Sequence, residues 1–189
     1  MNPGLRHLLL CTVLLIAGGF SSPLWADPTT CTISDTGVAF GNYDPTSGTA
    51  NTSLGSITVV CTPGCTIPII IVCVGYNGLN STITLSASTS NSSFSPRQLI
   101  GSGGRTLAYN LYVDINHTTI FGNGSSGTGD VTYCFTGSNV SSCSGATYTG
   151  SPAGPSSQSQ SVPVYGLLPA GQNVSSGAYV DTLTATVTF

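Results

Sequence analysis

The chain contains no lysine and no glutamate. Its cations are Arg6, Arg97 and Arg105, with His7 and His117 as the two histidines. A phosphate backbone is bound by many Lys and Arg side chains, so a nucleic-acid partner is excluded. Attachment to an anionic membrane surface needs the same cations and is excluded with it. Without lysine, a Lys–Asn isopeptide cross-link cannot form, so a fibre built from this chain would be held non-covalently or by disulfides. Without glutamate, a carboxylate pair for glycoside hydrolysis would have to be two aspartates. The six are Asp27, Asp35, Asp44, Asp114, Asp130 and Asp181. Only Asp181 lies in an apolar setting, and there a strand-edge charge that discourages wrong pairing is the simpler reading.

Long apolar runs are equally scarce. One spans Leu8 to Phe20, directly after Arg6 and His7. It is too short to cross a bilayer and is followed by small and helix-breaking residues, so residues 1–26 read as a secretory signal peptide cut after Ala26. Leu24, three positions before that cut, is larger than the usual residue there. No later segment is long enough to span a membrane, so no membrane insertion is expected after cleavage. Residues 27–189 suit one domain and carry Arg97 and Arg105 against six aspartates, a net charge of −4.

With charge so low, disorder is the first alternative. Against it, Val, Ile, Leu, Tyr and Phe recur in strand-like alternation between Gly, Ser, Asn and Pro, and no helical period or long repeat occurs. TGVAFGNYD (36–44), SITVVC (56–61), STITLSA (81–87) and RTLAYNLYVD (105–114) predict strands. TTIFG (118–122), DVTYCF (130–135) and SVPVYGLL (161–168) predict weaker ones. GAYVDTLTATVTF (177–189) sets Leu183, Ala185, Val187 and Phe189 on one face and threonines on the other. GNGSSGTGD (122–130) and SPAGPSSQSQ (151–160) read as loops. Many short strands divided by turn residues predict an all-β, antiparallel sandwich.

Seven cysteines occur, and Cys11 would leave with the signal peptide. The remaining six form an even set in an exported chain, which points to disulfides. Sequence does not choose among the possible pairings. Locality favours Cys65–Cys73, Cys134–Cys143 and then Cys31–Cys61. Zinc is disfavoured: Cys61 and Cys65 have a tolerable spacing, but exported thiols oxidise and His117 is the one histidine beyond the leader.

Catalytic and nucleotide motifs fail on context. Gly122, Gly124 and Gly127 spell G-x-G-x-x-G, yet the following DVTYCF alternates like a strand where a dinucleotide site needs a helix. His117 with Asp114 is the one available base–acid pair for a serine nucleophile. No G-x-S-x-G elbow exists, and the two side chains would diverge on an extended chain. Asn51, Asn80, Asn91, Asn116, Asn123, Asn139 and Asn173 open Asn-x-Ser/Thr triplets, expected by chance in so Asn-, Ser- and Thr-rich a chain. No enzyme, cofactor or metal is expected.

One stretch breaks the alternation. CTPGCTIPIIIVCVGYNGLN (61–80) carries Ile67, Ile69, Ile70, Ile71, Val72 and Val74 between and beside Cys65 and Cys73. It reads either as a strand buried on both faces or as a stapled apolar finger left exposed. Residue pattern alone favours the buried strand.

CTISDTGVAFGNYDPTSG, SPRQLIGSGGRTLAYNLYVD and VYGLLPAGQNVSSGAYVDTLTATVTF, in this order and spacing, resemble the spore coat protein U domain, the subunit unit of archaic, Csu-type chaperone–usher pili. The resemblance covers residues 27–189. It implies an immunoglobulin-like sandwich lacking one strand, exported through the periplasm to the cell surface or pilus. A periplasmic chaperone, then a neighbouring pilin subunit delivered through an usher, would fill the groove beside Leu183, Ala185, Val187 and Phe189 by donor-strand complementation. The chaperone would hold the carboxylate of Phe189. Such subunits donate a strand from a long segment before the first cysteine. Here DPTT alone precedes Cys31, and at roughly 3.4 Å per residue it is too short to span a groove. An earlier cut after Ala17 adds GGFSSPLWA, which does not alternate. The expectation is therefore a structural and adhesive subunit at the fibre tip. The alternative is a secreted spore-coat or matrix protein using the same domain without a fibre; an exported hydrolase ranks third. At a tip, the exposed finger becomes as reasonable as the buried strand, and hydrophobic or abiotic surfaces become candidate contacts.

Overall fold

The structure is a computed structural model that describes residues 27–69 and 72–189. The expected signal peptide, residues 1–26, lies outside them. Twelve strands follow one another: β1 (Thr30–Thr36), β2 (Asn51–Thr62), β3 (Cys65–Ile69), β4 (Val72–Tyr76), β5 (Leu79–Leu85), β6 (Arg97–Gly101), β7 (Thr106–Tyr112), β8 (Val131–Phe135), β9 (Tyr148–Thr149), β10 (Gln158–Leu168), β11 (Tyr179–Val180) and β12 (Ala185–Thr188). No α-helix occurs among the described residues; a single 3-10 turn covers Ser102–Gly104.

The strands form an immunoglobulin-like sandwich. One sheet has the order β1-β2-β10-β7-β6-β11, the other β12-β5-β8-β9, and β3 pairs only with β4. All pairs are antiparallel except β8–β9, a two-residue parallel contact. The core is the period-two alternation turned inward. Ile57, Val59 and Cys61 of β2, Val162, Val164 and Leu168 of β10, Ile83 and Leu85 of β5, and Val131, Tyr133 and Phe135 of β8 are all buried. The intervening positions point outward and are mostly hydroxylated. That division lets the two sheets pack face to face.

Cys31 lies directly opposite Cys61 in the β1–β2 register, and the two form a disulfide. Cys65–Cys73 closes the β3–β4 hairpin, and Cys134–Cys143 ties β8 to the loop after it. With Cys61 and Cys65 in separate disulfides, the pair offers no thiolates to a zinc ion.

The structure departs from the sequence expectation at several places. Of the strand expected over 36–44, only Thr36 is in a strand; β1 lies earlier. Residues 37–40 instead cross the inner face of the six-stranded sheet. Two inward positions there are glycines. A Cβ on Gly55 would lie 2.6 Å from the Thr36 carbonyl oxygen and 2.8 Å from Val38, and one on Gly166 would lie 2.9 Å from the Phe40 ring. Val38 and Phe40 fill the vacated space, so their alternation reflects core packing rather than a ladder. Their segment is held by side chains: Asn51 Nδ2 donates to the carbonyls of Phe40 (3.2 Å) and Asn42 (2.9 Å), and Ser53 Oγ to that of Ala39 (2.7 Å).

The strand expected over 118–122 is reduced to isolated bridges, Tyr112 to Ile120 and Phe121 to Gly129, although Phe121 is fully buried. β10 begins at Gln158, inside the expected 151–160 loop. The expected final strand splits: β11 joins β6 in one sheet, and β12 joins β5 in the other. β6 has no counterpart among the expected strands, and it opens on an arginine. Arg97 is nevertheless fully buried. Its Nη2 donates to the carbonyls of Ser86 (2.9 Å) and Phe121 (2.6 Å), so it ties the two segments that cross this side of the sandwich.

Candidate functional site

β12 is hydrogen-bonded on one side only. It pairs with β5 through Ala185–Leu85 to Thr188–Thr82 and stands at the edge of its sheet. Leu183, Ala185 and Val187 pack on the core, partly buried, while Thr182, Thr184, Thr186 and Thr188 face solvent. Phe189 is 62% exposed. On the facing sheet, β1 is also an edge. Ile33 lies opposite Val59 and shares its inward face, yet Val59 is completely buried and Ile33 is 45% exposed.

Between these edges lies a cavity of about 310 Å³, whose apolar lining includes Ile57, Leu85, Leu111, Val164, Leu183 and Ala185. Asp35 and Asp181 line it too. A second cavity, of about 790 Å³, opens at the end of the sandwich between residues 38–43 and 174–181. The two share Val38, Phe40, Leu99 and Asp181 as walls. The result is an apolar groove running beside an unpaired strand edge.

Asp181 fixes the corner where the chain passes from β11 to β12. Its carboxylate accepts hydrogen bonds from Tyr109 Oη (2.8 Å), Thr89 Oγ1 (2.8 Å), Thr89 N (3.3 Å) and Thr182 N (2.9 Å). Burial pushes this carboxyl up, but the hydroxyls of Ser88, Tyr109 and Thr89 outweigh burial and hold it below the ordinary carboxylate range. Tyr109 is pushed far above the ordinary phenol range, first by burial and then by its bond to Asp181. Burial pulls the Arg97 guanidinium below its ordinary range, opposed by Tyr109 and Asp181. These groups form a fixed strut, with no carboxyl raised toward neutrality for acid catalysis.

The second feature is the β3–β4 hairpin. Ile67 lies opposite Val74, and Ile69 opposite Val72. Ile67, Val72 and Val74 are 44, 58 and 49% exposed. A strand buried on both faces is therefore not what these residues form; the chain turns back on itself, and among the described residues β3 and β4 form a ladder only with each other. Ile70 and Ile71 lie outside the described residues. The base of the hairpin is clamped from two sides. On one, Asp27 N donates to the Cys65 carbonyl (3.0 Å), and Asn77 Nδ2 donates to that of Asp27 (3.1 Å). On the other, Gly78 N donates to Asn139 Oδ1 (2.7 Å), and Ser138 N to the Tyr76 carbonyl (2.8 Å). Gly64 permits the first clamp, since a Cβ there would collide with Asp27 backbone.

The catalytic candidates Asp114 and His117 share one turn, His117 N donating to the Asp114 carbonyl (3.1 Å), but their side chains take different partners. Asp114 accepts from the backbone of Thr118 and Thr119, while the His117 ring packs edge-on to Tyr112 at 5.1 Å. Gly124 and Gly127 occupy positive-φ turn positions ahead of β8, not a helix. Sequence reasoning missed Asp35, Val38 and Phe40 as groove walls. The signal available for Asp35 was its alternation with Cys31 and Ile33 in CTISD.

The sequence matches the Spore Coat Protein U domain over residues 24–186. The chain belongs to this family. Among curated proteins, none matches the chain. Among solved structures, the chain is similar to one in the CsuC–CsuE chaperone–tip adhesion subunit pre-assembly complex from archaic chaperone–usher Csu pili of Acinetobacter baumannii. The TM-score is 0.50 and the identity 16%, over 85% of this chain and 40% of that one. It also has a likeness, with TM-score 0.36 and 14% identity over 84% of this chain and 42% of that one, to a chaperone–tip adhesin complex described for CFA/I fimbriae biogenesis. The chain thus spans less than half of either solved chain. At 16% identity the first likeness concerns the fold alone.

Proposed function

We propose that this spore coat U protein is an exported, non-enzymatic subunit of a chaperone–usher pilus and that it receives a strand beside β12. One observation carries the reading: the unpaired edge of β12 borders an apolar groove that no other part of the described chain covers. Adding an extended segment there would satisfy the free backbone groups and bury Leu183, Ala185, Val187, Phe189 and Ile33 at once. A periplasmic chaperone would supply the strand first. A neighbouring pilin subunit, brought by the usher, would replace it. The chain would pass through the periplasm after loss of residues 1–26 and end at the cell surface.

We place it at the fibre tip. Residues 27–29 are bonded into the hairpin base rather than free to reach a neighbour, and residues 8–20 read as a leader and not as a donor strand. The hairpin bearing Ile67, Ile69, Ile70, Ile71, Val72 and Val74 would then face outward and contact hydrophobic or abiotic surfaces. The family to which the chain belongs keeps a second reading in play, a coat or matrix protein that forms no fibre.

Periplasmic co-expression with the chaperone and usher of an archaic pilus system separates the two. The pilus reading expects a soluble one-to-one complex with the chaperone and aggregation without it. A soluble monomer produced alone, with no complex, overturns it in favour of the coat protein.

A further inference from the structure

The groove carries a feature that an apolar strand acceptor does not require. Asp35 lies opposite Ile57 in the β1–β2 register, and Ile57 is buried on the inner face. Asp35 therefore stands on the groove side of an edge strand, two residues beyond Ile33, and it lines the smaller cavity with Leu183 and Ala185. An inward carboxylate on an edge strand deters indiscriminate pairing, because a strand of apolar residues alone would strip its water without replacing it. Asp181, the other carboxylate of the lining, is already satisfied by Tyr109 and Thr89. Asp35 is exposed, and no Lys, Arg or His shares the lining.

This chain cannot provide the counter-charge. It has no lysine. The Arg97 guanidinium is buried against the Ser86 and Phe121 carbonyls, Arg105 lines neither cavity, and Arg6 lies in the expected leader. A second copy of this chain would bring the same deficit.

We propose that Asp35 selects the incoming strand by charge: the groove takes a segment of another protein that alternates apolar side chains and sets one Lys or Arg on the same face, opposite Asp35. The inference rests on the strand-acceptor reading of the groove. Apolar residues supply adhesion along Leu183, Ala185 and Val187; the cation sets register and rejects strands that bring an acid to this point.

The test uses the oxidised, leader-free chain and synthetic peptides of alternating Val and Thr. A single Lys is moved through each inward position in turn, with Gln and Glu versions of each peptide. Expected is one register at which Lys binds about 5-fold tighter than Gln, with Glu weaker than both, consistent with a modest ion pair. That gain shrinks as ionic strength rises from about 0.05 to 0.5 M. It disappears in Asp35→Asn, and Asp35→Lys reverses the preference toward Glu. The salt arm needs no variant, so misfolding of a variant leaves the inference open to refutation. Peptides that bind in the groove without regard to charge overturn the role of Asp35 and leave the groove standing. Absence of binding by every peptide, with amide exchange on β12 unchanged, overturns the groove reading and this inference with it.

Discussion

At one end of β2, Cys61 is bonded to Cys31, Cys65–Cys73 closes the β3–β4 hairpin, and hydrogen bonds to Asp27, Ser138 and Asn139 hold the hairpin base. At the other end, around Asn51, residues 37–46 run outside any strand and carry no cysteine, and the sheets part around two connected cavities. Both ends expose apolar side chains. The hairpin exposes Ile67, Val72 and Val74 on a frame complete in itself; the groove exposes Val180 and leaves Leu183 half-buried on a frame with one strand edge unpaired. The contrast separates two kinds of exposed apolar surface. Under the proposed function the covalently stapled one stays open, and the one beside an unpaired strand edge is covered.

Substitutions that cut across this contrast should differ in what they destroy. Replacing Cys31 and Cys61 by alanine releases a cross-link spanning 30 residues of the central sheet, and global stability should fall by about 4 kcal/mol in chemical denaturation. Removing Cys65–Cys73, with a separation of 8, should leave the global transition nearly in place and speed amide exchange only within residues 65–76. If both removals unfold the molecule equally, the hairpin is part of the core.

Next in size, Ile83→Ala in the fully buried centre should cost about 3 kcal/mol. Ile67→Asp with Val74→Asp, a cross-strand pair on the hairpin, should cost less than about 0.5 kcal/mol. The hairpin pair should abolish attachment to hydrophobic beads while sparing chaperone binding. Loss of chaperone binding instead would erase the functional distinction between the two ends.

The smallest effect concerns acid. The Asp181 carboxyl is held below its ordinary value in the folded state, so its contribution to stability is present above about pH 4 and is lost as pH falls through the folded value. Asp181→Asn should flatten the acid limb of the stability curve and lower stability at neutral pH, where the ionised carboxylate contributes. A steeper acid limb in the variant would contradict the strut assigned to Asp181.

The sandwich was legible because its inward positions keep a strict period of two in SITVVC, STITLSA and the final TLTATVTF, and a side chain on the wrong face would bury a hydroxyl. Segment 37–43 misled because Val38 and Phe40 alternate for a packing reason: they occupy space left by Gly55 and Gly166, which lie far away in sequence. β6 was hidden by Arg97, whose burial depends on carbonyls of Ser86 and Phe121 that only the folded chain brings within reach. The apolar run at 69–74 left two readings open, since periodicity cannot tell a buried strand from a hairpin that pairs with itself. Of the groove face expected on β12, Leu183 and Ala185 line the smaller cavity; its opposite wall at Asp35 required the β1–β2 register.

The central claim is that β12 takes a strand from another protein. Amide hydrogen exchange of the chain, alone and with its co-expressed chaperone, tests it directly. The β12 amides not bonded to β5 should exchange rapidly in the isolated chain and slow by about 100-fold in the complex, as expected when open amides enter a ladder. The hairpin amides of residues 65–76 should stay unchanged. Equal exchange at β12 with and without the chaperone, or protection confined to the hairpin, would contradict it.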